Sequence, residues 1–470
     1  MNDASYFFCG IGGSGMLPLA MIVQARGNAV EGSDRALDQG RTPEKFDWLR
    51  AHGVTLHPQD GSGVTRASQI VVATGAVEDT VPDIGTARRV GATIKTRPQL
   101  LSELFNAAPT SVGVAGTSGK STITGMIAWI LSQAGRDPTV VNGAVMKNFA
   151  DADHPFASAL IGGPDNESGL FVAEVDESDG SIARYDPTVA VVSNISLDHK
   201  SMEELRDLFG GFVDRAETAV LNLDNPETAA LAQELAQTLP ADKTITFALG
   251  EEKADLSAHD LQPLPTGMRF RLIEGGRACD VVLNVPGAHN VANALAALGA
   301  VKALGVPVSE AVAALETFAG IRRRMEVVGT VDAVTVIDDF AHNPDKIAAT
   351  LKTLHAFDGR LLILFQPHGF GPLKLMKSEF IEGFAGLMRP DDVLLMPEPV
   401  YYGGTTDRSV GSEDIASGVR AAGRNALALP DRAACGDRLV EIARPGDRII
   451  VMGARDDTLS AFAAELLGRL

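Results

Sequence analysis

The sequence predicts an α/β protein with parallel sheets, and three observations carry that reading. Short apolar runs, such as 69–74, 111–115, 360–365 and 448–452, alternate with helical patterns along the whole chain. Two glycine-rich turns, Gly10–Gly15 and Gly116–Ser121, each follow an apolar run and open a helix. At 470 residues the chain exceeds what one core serves, which suggests two to four domains.

A hydrophobic content of 45% with 21% charged residues describes an ordinary soluble globular protein. The net charge of −19 argues against a nucleic-acid partner, so an anionic ligand must be held by local groups. Cys9, Cys279 and Cys435 stand far apart and in no metal-binding spacing, as in a reducing compartment. The start, MNDASYFFCG, lacks a basic leader, and stretches such as Met126–Leu131 are too short to span a bilayer. A cytoplasmic protein without membrane partners is expected.

Taken in order, Ser5–Ile11 reads as a buried strand and runs into Gly10-Ile-Gly12-Gly-Ser-Gly15, a complete G-x-G-x-x-G. Met16–Ala25 is helical in pattern, Asn28–Glu31 is strand-like, and Asp34 lies about 20 residues beyond the glycines, a Rossmann-like arrangement. The loop suits a dinucleotide and the diphosphate of a nucleotide sugar equally; close helix–strand packing alone also calls for glycine. Further strands at Gln69–Thr74 and Ala92–Lys95 end in Thr74-Gly75 and Thr96-Arg97. Asn106–Pro109 reads as a linker.

The run Ser111–Ala115 then enters Gly116-Thr117-Ser118-Gly119-Lys120-Ser121-Thr122. Strand, glycine-rich turn and helix start form a phosphate cradle: backbone N–H groups converge, Lys120 reaches the terminal phosphates, and the Ser121 hydroxyl suits Mg²⁺. Val114 stands where the strict pattern has glycine, so the motif is a shortened variant; an ordinary strand-to-helix turn is the alternative. Strand Gly169–Ala173 leads into Glu174-Val-Asp-Glu-Ser-Asp179, acids placed for Mg²⁺ or forming a solvated turn. Strand Thr188–Ser193 is followed by Asp198-His199, a candidate metal or phosphate contact. From Asp224 to Gly276 the pattern weakens and carries no evident chemistry. His289, Asn290 and Asn293 open an Ala-rich helix and suit a purine edge, with helix capping by Asn290 as the alternative.

Phe318–Glu326 reads as a hinge, which divides the chain into 1–107, 108–317 and 318–470. Three consecutive arginines, Arg322–Arg324, lie there; one suits a triphosphate, and a solvated turn is the alternative. Strands Ala333–Ile337, Arg360–Phe365, Asp392–Pro397 and Arg448–Met452 form a second Rossmann-like sheet whose ends carry Asp339, His342, His368, Lys374 and Arg455.

In this order the motifs resemble those of the Mur ligases, ATP-dependent amide-forming enzymes of peptidoglycan synthesis, over nearly the whole chain. The matched set is Gly116–Ser121, Glu174–Asp179, Asp198-His199, His289–Asn293, Arg324–Glu326 and Asp339–His342. Six motifs in one order are far more specific than any one of them. The Gly10–Gly15 loop with Gly32–Asp34 is similar both to the branch that adds L-alanine to UDP-N-acetylmuramate and to the recycling branch that adds a murein peptide.

The resemblance implies a UDP-sugar-binding domain at 1–107, a P-loop-type ATPase domain at 108–317 and an amine-binding domain at 318–470. Gly12, Gly13, Ser14, Gly15, Asp34, Thr74, Gly75 and Arg97 would then bind a UDP-N-acetylmuramate-like sugar. Gly116–Thr122 would cradle ATP; Ser121, Glu174 and His199 would hold Mg²⁺; Lys120 and Arg324 would neutralise charge during transfer. His289, Asn290 and Asn293 would read adenine, and Asp339 the ribose. His342, His368, Lys374 and Arg455 would meet the incoming amino acid or short peptide. Departures matter too. Ser118 and Ser121 replace His and Thr typical of the alanine-adding branch, and Gly369 replaces an Arg near the amine's carboxylate. A ligase acting on another acid, an inactive nucleotide-binding partner protein and a dehydrogenase are the competing readings; the last leaves the second loop and its acids without purpose.

Overall fold

A computed structural model of the chain describes residues 5–74, 80–163, 169–197, 200–238, 240, 243–251, 253–400, 408–454, 456 and 458–470. Three sheets order the fold. The first holds Ser5–Cys9 (β1), Ala29–Ser33 (β2), Thr55–His57 (β3), Gln69–Ala73 (β4) and Thr93–Thr96 (β5). Its order is β3-β2-β1-β4-β5 and every pairing is parallel. The order reverses between β1 and β4, and the Gly10–Gly15 turn leaves β1 at that reversal, where α/β sheets place ligands.

The second sheet has ten strands: Thr110–Ala115 (β6), Thr139–Val141 (β7), Ala159–Leu160 (β8), Leu170–Glu174 (β9), Val189–Val192 (β10), Thr218–Asn222 (β11), Thr244–Leu249 (β12), Leu256–Leu264 (β13), Gly267–Glu274 (β14) and Arg277–Leu283 (β15). β6 runs between β10 and β9, parallel to both, so the phosphate loop and both acid-bearing strand ends emerge on one edge. All four residues of β10 and five of six in β6 are buried, as strands covered on both faces must be. The third sheet holds Glu326–Val331 (β16), Val334–Asp339 (β17), Leu361–Gln366 (β18), Val393–Pro397 (β19), Asn425–Leu429 (β20) and Arg448–Gly453 (β21), in the order β16-β17-β21-β18-β19-β20. Only β16 is antiparallel to its neighbour there, among the pairings of the described residues.

The chain forms two compact units. One comprises 1–262, 268–284 and 289–321; the other 263–267, 285–288 and 322–470. The first unit contains the first two sheets on one continuous apolar cluster. Phe105, at the end of helix Arg97–Asn106, meets Phe171 and Tyr185 edge-on at 5.8 and 5.2 Å. Asn106, expected in a linker, instead clasps the central region: its Nδ2 donates to Arg184 O at 2.8 Å and its Oδ1 accepts from Asp186 N–H at 3.0 Å. In the second unit, buried residues fill both faces of the third sheet. Among the described residues, no helix is long and apolar enough to cross a membrane.

Candidate active site

The phosphate loop is built by its neighbours. Gly116 has φ +137°, and a Cβ there would collide with Ser193 Oγ at the end of β10. Ser193 Oγ donates to Ser118 O at 2.8 Å, while Asn194 accepts from Ser118 N–H at 3.0 Å and donates back to Ser118 O at 3.0 Å. Thr117 N–H donates to Asn194 O at 3.1 Å. The N–H groups of Thr117 and Ser118 are thus spent on bracing. The N–H groups of the helix start, from Lys120 to Thr122, lie ahead of the first helical bond from Ile123 N–H to Gly119 O.

Lys120 opens helix Lys120–Gln133, and its Nζ donates to Gly116 O at 2.6 Å and to Glu177 Oε2 at 2.8 Å. Glu177 is buried and follows β9 by three residues. Two consecutive residues tie the helix start to the end of β9. Asn142, fully buried, donates to Ser121 O at 3.0 Å, and Gly143 N–H donates to Glu174 Oε1 at 2.9 Å. A buried hydroxyl and a strand-end carboxylate are hard oxygen donors, which fit magnesium; that ion takes one or two carboxylates and completes its shell with phosphate oxygens and water. Burial pushes the Asp176 carboxyl up, but the Ser178 N–H and the nearby Lys120 and Arg97 outweigh it and hold the group below the usual carboxylate range. Asp198 and His199 lie outside the described residues, so the third expected metal ligand has no position here.

The amide pair sits directly against this loop. A Cβ on Gly119 would lie 2.5 Å from Asn293 Oδ1. Asn293 Nδ2 donates to Asn290 Oδ1 at 3.0 Å, both residues are buried, and His289 is exposed. Helix Ala288–Ala303 begins two residues before Asn290, which corrects the capping alternative: Asn290 lies inside the first turn and spends its oxygen on Asn293.

At the N-terminal loop, Gly12 N–H donates to Asp34 Oδ2 at 2.8 Å, and Ala36 N–H donates to Asp34 Oδ1 at 2.8 Å. Asp34 is therefore tied both to the glycine turn and to the chain that follows. Ser33 donates at 2.6 Å to the fully buried Asp83, whose carboxyl burial pushes up. Arg97 crosses Gly15 so closely that a Cβ there would be 3.0 Å from its Cδ. Gly13 lies in the turn ahead of helix Met16–Ala25, its oxygen accepting from Leu17 N–H at 2.9 Å. Ser14 is exposed, Thr74 directly follows β4, and Gly75 lies outside the described residues.

In the second unit, Arg323 is the structural member of the triplet. It is buried, donates to Gly453 O at 2.6 Å and Asp456 O at 3.0 Å, and faces fully buried Asp338 at 3.5 Å. Arg324 lies 4.4 Å over the Phe340 ring and is half-buried. Asp339 accepts from Met325 N–H at 3.1 Å and Thr350 Oγ1 at 2.5 Å. His342 turns its Nδ1 to Phe340 O at 2.9 Å. His368 bridges to Val400, Gly369 N–H donates to Val400 O at 3.1 Å, and Lys374 is exposed. Gly369 has φ +81° and ψ +161°, a region essentially confined to glycine. Arg455 lies outside the described residues.

Sequence reasoning passed over Asn142, Ser193, Asn194 and, as an individual, Glu177. Ser193 and Asn194 do stand at an apolar strand's end, where a polar side chain has a reason to be; Asn142 follows a strand too short to notice.

Three family models match in chain order: "Mur ligase family, catalytic domain" at 5–108, "Mur ligase middle domain" at 114–301 and "Mur ligase, glutamate ligase domain" at 323–455. A UDP-N-acetylmuramate–L-alanine ligase of Desulfosudis oleivorans is 33% identical over 96% of this chain and 95% of its own. One of Sorangium cellulosum is 35% identical over 96% and 93%. Among solved structures, a murein peptide ligase from Psychrobacter arcticus superposes with TM-score 0.70 at 26% identity, covering 99% of this chain and 98% of that one. A UDP-N-acetylmuramate–alanine ligase from Thermotoga maritima shares the fold with TM-score 0.79 at 24% identity, covering 99% and 98%. Matched through all three sheets and along nearly its entire length, this chain belongs to the Mur ligase family of ATP-dependent ligases.

Proposed function

We propose that the chain joins the carboxylate of UDP-N-acetylmuramate to L-alanine at the expense of ATP, a step of peptidoglycan synthesis. The observation that carries this reading is the full-length similarity, at 33–35% identity, to relatives named for that reaction. A carboxylate oxygen of the sugar attacks the γ-phosphorus, the bond to the β,γ-bridging oxygen breaks, and ADP leaves. The amine nitrogen then attacks the acyl carbon, the ammonium proton passes to solvent, and the tetrahedral intermediate expels phosphate. Lys120 and Arg324 offset charge on the transferred group, and the N–H groups at the start of helix Lys120–Gln133 bind phosphate oxygens. Ser121, Glu174 and His199 would hold Mg²⁺, which supplies charge neutralisation when bound. Asn290 and Asn293 bind adenine with His289 at the rim, and Asp339 keeps lone pairs for the ribose beyond its two existing bonds. The glycine turn, Asp34, Thr74, Gly75 and Arg97 bind the UDP sugar; His342, His368, Lys374 and Arg455 bind the amine. The three regions 1–107, 108–317 and 318–470 carry these tasks in turn.

One observation favours a second amine. Gly369 supplies no cation where the alanine-adding branch bears an arginine, and its backbone angles strain any residue that carries a side chain. A murein peptide is the amine this favours. Both readings are tested by ADP release with UDP-N-acetylmuramate and single amines: L-alanine, glycine, L-serine and murein tripeptide. ADP formation that needs L-alanine supports the first reading, dependence on the tripeptide the second, and ATP binding without amide product from any amine overturns both.

A further inference from the structure

Glu177 has no role in the reaction outlined above, yet its contacts single it out. Its side chain is 7% exposed, and its carboxylate meets the Lys120 ammonium at 2.8 Å. A carboxylate taken from water is costly unless a cation compensates it, and among the described residues Lys120 is the cation paired with it. The coupling acts in both directions. An ammonium has three donors; Gly116 O takes one at 2.6 Å and Glu177 Oε2 another. With two directions fixed, the third N–H of Lys120 has its direction fixed too. A lysine stem carries much rotamer freedom, and a preset ammonium gives that up before the reaction instead of during it.

We propose that Glu177 is a positioning residue for phosphoryl transfer, holding the Lys120 ammonium so that its remaining N–H faces the transferred phosphate. The proposal rests on the reading of Gly116–Thr122 as the ATP site. It explains why the acidic run after β9 contains a buried glutamate distinct from Glu174, which instead accepts from Gly143 N–H.

The test uses the full chain with Glu177→Ala, Glu177→Gln and Lys120→Ala. Steady-state ADP formation gives kcat and KM for ATP. Acetylation of Lys120 by an N-hydroxysuccinimide ester, followed by mass spectrometry with and without ATP, gives a readout independent of turnover. In Glu177→Ala, kcat falls about tenfold or more while KM for ATP stays within about threefold, because the lost interaction orders the reacting group. Glu177→Gln keeps an acceptor at the same place and recovers most of kcat. Lys120 in Glu177→Ala acetylates at least about threefold faster, since its Nζ loses the partner that holds and shields it. Wild-type kcat and acetylation rate in Glu177→Ala overturn the proposal, as does a Gln variant no better than Ala, or a lowered KM for ATP at unchanged kcat, which marks the carboxylate as a competitor for the lysine. If ATP fails to protect wild-type Lys120 and Lys120→Ala turns over normally, the ATP-site reading itself falls.

Discussion

Lys120 is where the proposed chemistry concentrates, because one flexible cation meets a loop carbonyl and a buried acid at once. Lys120→Ala should abolish ADP formation while leaving the thermal unfolding midpoint near wild type; full activity in that variant would reject the phosphate-loop assignment. Asn194 works one step away. Asn194→Ala removes two bonds to Ser118, each worth about 1 kcal/mol, and should raise KM for ATP about tenfold with the fold intact. Asp338 carries a different signature. Burial raises its carboxyl to about 6, with Arg323 and Ser460 only partly opposing the shift. A raised folded-state value means this group's contribution is full below its ordinary value near 3.8 and is lost as pH rises through 6. The Asp338→Asn variant lacks that loss, so its stability relative to wild type should climb by up to about 3 kcal/mol between pH 4 and pH 7, read by urea unfolding. A flat difference across that range removes the assignment.

Among the elements, the strand–turn–helix at 110–133 is the most constrained. Gly116→Ala places a methyl into Ser193 Oγ at a φ of +137° and should lower kcat/KM for ATP more than it lowers overall stability, measured by kinetics beside thermal unfolding. This element was legible from sequence because its parts are local: an apolar run, glycines, a lysine and a largely apolar helical continuation. The buried strands 170–174, 189–192, 361–366 and 448–453 were legible for the same reason, since strands covered on both faces are uninterrupted apolar runs. Strand Arg277–Leu283 was not, because four of its seven residues are exposed and its pairing partner, not its composition, makes it a strand. The alternative that Asn290 caps helix Ala288–Ala303 fails because the helix begins two residues earlier and the Asn290 oxygen accepts from Asn293, one turn on. The bracing of the phosphate loop by Asn194 was hidden for a related reason. It joins residues 76 positions apart, and no local pattern encodes that.

For the molecule as a whole, charge sets a condition that no single contact shows. The chain carries a net charge of −19 while both proposed substrates on the acid side are anions. Diffusional capture of ATP therefore runs against the mean field, and salt should relieve it: kcat/KM for ATP should rise between about 10 and about 150 mM KCl at fixed free Mg²⁺. A fall over that range would show that a local positive field at the site dominates. The two compact units divide the expected work, with both glycine-rich turns in the first and His342, His368 and Lys374 in the second. Gly369, in that second unit, bears on the choice of amine. At φ +81° and ψ +161° any replacement with a side chain strains the turn by about 1–3 kcal/mol, so an arginine there must offset that strain before its charge is of use. If the proposed amine site is right, a chain that keeps this turn draws its cation for the amine substrate from elsewhere or takes an amine that does not ask for one, so the backbone at this turn constrains substrate preference.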